Sequence, residues 1–227
     1  LRIYVSADGS PATVKTPGGK TYRFYIPNEN SSDRKTFLVP SDTLHFTLIL
    51  PHPVAPPPEQ MGAWRIFAYI SEARNFMKND PVRYEMPKIT AYWPTGRSRY
   101  SPEEKYIDIE QGEDLYADAI RHEYGHYVMH KVYDWWFPSD PIPGRHDMGD
   151  SYRDRGAVWM EGWANFFALA IEPDNEYVSI PIEPQRHQAG WEKGDNVEGR
   201  VASALYDLFD PWDDGLDHIS LGFRPIW

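Results

Sequence analysis

The chain has 227 residues, a net charge of −11 and no cysteine. It is long enough to bury a core without covalent staples, it cannot form disulfides, and its acidity disfavours polyanionic partners such as nucleic acid. The apolar runs, such as "LIL" at 48–50, are far too short to cross a membrane.

Residues 1–55 read as β-rich. "LRIYV", "TYRFYIP", "KTFLVP" and "LHFTLIL" concentrate β-branched and aromatic residues, with "PGGK" and "PNENSSD" as turns. The stiff proline-rich stretch "PHPVAPPPE" (51–59) marks a soft boundary, with the remainder, 56–227, as the larger unit. After it, Met61, Trp64, Ile66, Phe67, Ile70, Ala73 and Phe76 recur at helical spacing. "PKITAYWP" and "KYIDIEQG" read as strands, the second alternating wet and buried positions. A long helix is expected from Glu113 to about Trp135, then a polar loop over 137–157, then the apolar helix "VWMEGWANFFALAI". A second loop over 172–194 and a last helix, "NVEGRVASALYDLF", complete the chain. The fold class is α+β with a mixed sheet.

Chemistry concentrates in "DAIRHEYGHYVMH" (118–130). Residues four apart share a helix face, so His122 and His126 can reach one ion, while Glu123, one position round, can reach a water beside it. His130 lies a further turn along and is expected to be structural or at the edge of the cleft. A third ligand is sought outside this helix, because Val132 occupies the position where a third histidine six residues on would stand. Glu161, a lone carboxylate in the most apolar helix, is the better candidate, since coordinating a cation offsets the cost of burying it. The competing reading pairs Glu161 with Arg121 or Arg155. Gly162 beside it suggests a close approach of the two metal-bearing helices.

"HEYGH" followed thirty-five residues later by "EGWANFF" resembles the gluzincins, the thermolysin-like zinc metallopeptidases. The resemblance is dense over 115–171, and "VEGRVASALYDLFD" (197–210) also resembles a recurrent segment of secreted bacterial proteins of this type. It implies a zincin-like helical core, one catalytic Zn²⁺ on His122, His126 and Glu161, Glu123 as general base, and endopeptidase cleavage of peptide or protein substrates outside the cell. Where such enzymes commonly carry an aspartate that braces a ligand histidine, this chain has Asn165; Asp118 is an alternative brace. His187, Tyr206 and Arg200 are candidate oxyanion donors. The strand Tyr106, Ile107, Asp108, Ile109 and Glu110 is expected to bind substrate as an edge strand. "DNVE" reads as a capping box of Asp195 and Glu198, and "DPWDDGLDH" (210–218) is a weak candidate for Ca²⁺. Two other functions compete: a catalytically idle zinc-holding binding module, and a zinc hydrolase of a non-peptide amide or ester.

Overall fold

The structure is a computed structural model that describes residues 4–25, 58–79, 82–142, 144, 146–172, 176–177, 180–181, 191–211 and 219–227. Strands β1 (Tyr4–Ser6), β2 (Ala12–Lys15) and β3 (Arg23–Tyr25) precede helix α1 (Met61–Lys78). Strands β4 (Ile89–Thr95), β5 (Arg99–Ser101) and β6 (Tyr106–Glu110) follow, then helices α2 (Ala117–Val132) and α3 (Arg155–Ile171). The short pair β7 (Glu176–Tyr177) and β8 (Ile180–Pro181) leads to α4 (Glu198–Phe209). Helices and a four-stranded mixed sheet make the fold α+β.

The sheet runs β2-β4-β6-β5, with β2, β4 and β6 parallel and β5 antiparallel to β6. Strand β2 was not legible in the sequence: "ATVK" is short and lacks aromatic residues. Its Ala12 and Val14 are nevertheless fully buried, and it pairs with β4 in continuous register from Ala12↔Ile89 to Lys15↔Tyr92. The strands expected over 35–50 and the proline run at 51–57 lie outside the described residues.

Strand β6 alternates as its sequence requires, with Ile107 and Ile109 fully buried and Tyr106, Asp108 and Glu110 partly open. The expectation that it is an edge strand is wrong. It sits between β4 and β5, with both sides paired. Among the described residues the sheet ends at β2 on one side and, next to β6, at β5, whose three residues carry no alternation long enough to announce a strand.

The long helix expected from Glu113 is shorter. A 3-10 turn, Glu113–Leu115, precedes α2. The helix ends at Val132, and Asp134 (φ 56) and Trp135 (φ 64) then take left-handed conformations that no α-helix continues through. Helix α3 starts at Asp154, whose carboxylate caps it by accepting from the N–H groups of Gly156 (2.9 Å) and Ala157 (3.2 Å). Helices α2 and α3 pack on each other, and α4 packs on α3. The glycine that lets α2 approach α3 is Gly125, not Gly162. A Cβ on Gly125 would stand 3.3 Å from the Cα of Ala164. Gly162 instead makes room for α4, since a Cβ there would meet Val201 at 2.6 Å and the Glu198 carbonyl oxygen at 2.8 Å.

Candidate metal centre

Helix α2 supplies His122 and His126 from one face, and α3 crosses it with Glu161 turned inward. All three are buried. Their facing atoms form a near-equilateral triangle: His122 Nε2 to His126 Nε2 is 3.0 Å, His126 Nε2 to Glu161 Oε2 is 3.1 Å, and His122 Nε2 to Glu161 Oε2 is 3.2 Å. Donors ~2.0–2.1 Å from a tetrahedral ion stand about 3.3 Å apart. The two histidine–carboxylate sides and the histidine–histidine side all lie close to that value, so the donor set fits one tetrahedral ion.

The protonation pattern points the same way. Asn165 Oδ1 lies 2.7 Å from His122 Nδ1. An amide oxygen only accepts, so Nδ1 carries the proton and Nε2 turns toward the cluster as a donor atom for a cation. Burial alone would raise the Glu161 carboxyl, but the charges and hydrogen bonds of His126 and His122 outweigh it and hold the group well below the carboxylate range.

Neither arginine of the competing reading is at Glu161. Arg121 is engaged by Glu72 and Glu172, each at 2.8 Å, and lies 3.7 Å from Asp118. Arg155 lies 3.2 Å from Asp195. The atom at His122 Nδ1 is Asn165, while Asp118 sits beside Arg121 one turn earlier on the helix.

Glu123 is buried beside the cluster, and burial pushes its carboxyl up to about 7 against the lowering influence of His122. The backbone N–H of Tyr100, on edge strand β5, donates to it. The Tyr100 hydroxyl in turn lies 2.9 Å from Nδ1 of His130. His130 also stacks on Phe137, with ring centroids 4.6 Å apart. It is thus a structural support for the strand next to the base, in line with its place a turn beyond His126.

Two of the sequence candidates for the oxyanion donor make contacts of their own. Arg200 donates to the carbonyl oxygens of Trp191 and Glu192 and so ties down the chain before α4. Tyr206 is fully buried and packs against Phe209. His187, and residues 212–218 of the acidic segment considered for Ca²⁺, lie outside the described residues.

Two residues that sequence reasoning missed or misread are at the site. His146, in the polar loop, places Nε2 3.9 Å from Glu161 Oε2 and Nδ1 2.7 Å from Glu198 Oε2. The hydrogen bond its Nδ1–H donates to Glu198 outweighs burial and pushes its imidazole up to about 9, with Glu161 and Glu123 adding to the effect. Glu198 is not a capping residue: α4 is capped at Val197 without a side-chain bond, and Glu198 turns into the protein with only 2% of its surface exposed. The loop carrying His146 is held in place by Trp191, which lies against Gly149 and Gly199 where a Cβ would meet it at 2.6 and 2.3 Å. Backbone bonds from Gly199 N–H to Met148 (3.0 Å) and from Tyr152 N–H to Asn196 (2.9 Å) complete the anchorage.

An α+β fold whose crossing helices bring two histidines and a glutamate to one point is thereby defined. The family described as the Mycolysin C-terminal domain matches residues 74–223, a stretch that contains every residue of this cluster, and the chain belongs to that family. No curated protein matches the chain. Among the described residues no helix is long and apolar enough to cross a membrane.

Proposed function

We propose that the chain is a zinc metallopeptidase of gluzincin type with a zincin-like core, acting on peptides or proteins outside the cell. The observation that carries this reading is the triangle of His122, His126 and Glu161 with a buried carboxylate, Glu123, next to it on the same helix. His122, His126 and Glu161 would hold the zinc. When bound, such an ion supplies Lewis acidity toward a carbonyl and lowers the pKa of a coordinated water.

The rest falls to the chain's own groups. Glu123, poised at about 7, accepts a proton from the attacking water and passes it to the leaving amine nitrogen. His146, with Nδ1 tied to Glu198, directs Nε2–H toward the oxygen that gains charge when the carbonyl becomes tetrahedral. In this reading His146 takes the role for which Tyr206 and Arg200 were considered, while His187 lies outside the described residues. An extended substrate adds to β5, the end strand of the described sheet whose Tyr100 N–H already borders the base.

The test is cleavage of a peptide library by zinc-loaded wild type and by Glu123→Gln. Zinc-dependent cleavage of amide bonds that the variant lacks supports the reading. Zinc binding without cleavage by the wild type favours an idle binding module, cleavage only of non-peptide esters or amides favours a different hydrolase, and full activity in the variant removes Glu123 from the base role.

A further inference from the structure

Glu198 is a buried carboxylate that the reaction described above uses only through His146. Its two oxygens face different partners. Oε2 takes the Nδ1 of His146 at 2.7 Å, and Oε1 stands 3.5 Å from the Nδ2 of Asn165. Asn165 turns its other end, Oδ1, to His122 Nδ1 at 2.7 Å. The amide has one orientation in which both contacts are favourable: the NH₂ donates to the carboxylate and the oxygen accepts from the imidazole. Glu198 and Asn165 are 2% and 1% exposed, so this chain runs through protein and not through water. The position at the first residue of α4 favours a negative charge, because the helix N-terminus presents unpaired N–H groups.

We infer that Glu198 is a positioning residue that fixes both walls of the cleft at once, orienting His146 directly and the ligand histidine His122 through the amide of Asn165. The inference rests on the peptidase reading above. A neutral asparagine at 165 polarised by a carboxylate behind it takes the place of a charge placed directly on the ligand histidine. One side chain on α4 thereby couples the loop at 146 to the metal-bearing helix.

The test compares wild type, Glu198→Gln, Asn165→Ala, His146→Ala and the double variant Glu198→Gln/Asn165→Asp. Three readouts are used: zinc affinity by chelator competition, kcat and KM on a peptide, and imidazole ¹⁵N spectra of the metal-free proteins. Loss of an outer partner of a ligand histidine weakens metal binding roughly 10–100-fold. Glu198→Gln is therefore expected to lose about that much zinc affinity and to lower kcat, with the signals of both His122 and His146 shifted. His146→Ala should lower kcat and leave zinc affinity unchanged. The double variant puts a charge directly on His122, and should regain zinc affinity while kcat stays low. If Glu198→Gln shifts His146 alone and binds zinc like the wild type, the coupling is overturned. If the double variant does not regain affinity although circular dichroism shows it folded, the path through residue 165 is overturned. Failure of the peptidase reading is seen separately, as a wild type without zinc-dependent cleavage, while the metal-free spectra still report on the coupling.

Discussion

Gly125 and Ala164 meet where α2 crosses α3, and a side chain on Gly125 would stand 3.3 Å from the Ala164 backbone and 3.1 Å from the Phe167 ring. This contact lies one residue before His126 and three residues after Glu161, so the spacing of the helices sets the spacing of the ligands. Gly125→Val should overpack the crossing and cost about 1–3 kcal/mol of stability. It should also weaken zinc binding, although no ligand is changed. Chemical denaturation of the metal-free variant and chelator competition on the loaded one measure the two effects.

Zinc itself is expected to stabilise the fold. An ion that binds only the folded chain contributes about 4 kcal/mol when free zinc is a thousand times its Kd. For a domain of this size that is a Tm rise of roughly 8–16 °C. Calorimetry with and without zinc checks it, and Glu161→Ala should abolish most of the rise. An equal rise in the variant would mean that zinc binds elsewhere.

The cap of α3 predicts a pH dependence. The Asp154 carboxyl is held below its ordinary 3.8 by a hydrogen bond from Ser139 and by the N–H groups of Ala157 and Gly156. A depressed folded value means that the cap's stabilisation is present above the unfolded value and is lost as pH falls through the folded one. Below about pH 5, acid titration should destabilise the metal-free wild type more than Asp154→Asn, which keeps an accepting oxygen but no titrating charge. Thermal melts of the two proteins down this range make the comparison.

The fold and site were legible where the signal is local. Helical spacing placed His122, Glu123 and His126 on α2, and the cost of a lone carboxylate in an oily helix singled out Glu161. The misread positions are those whose partner is distant in sequence. Glu198 at the start of a helix looks like a cap, and only the packing of α4 on α3 shows that its partners are His146 and Asn165, 52 and 33 residues away. Gly162 did signal a close contact, but a glycine does not say which neighbour approaches. His146 sits in a loop without periodicity. Its signal was a lone histidine between Gly144 and Gly149 in a segment too long to be a mere connection. Strand β6 reads as an edge because the three residues of β5 are too few to register as a strand.

The central claim is that His122, His126 and Glu161 hold one zinc ion, and its most direct test is anomalous diffraction at the zinc edge from crystals of the zinc-loaded protein. A single strong peak is expected at ~2.0–2.2 Å from the Nε2 atoms of both histidines and a carboxylate oxygen of Glu161. A map with no peak among these three side chains, or with Glu161 turned away from a peak held by other residues, would contradict it.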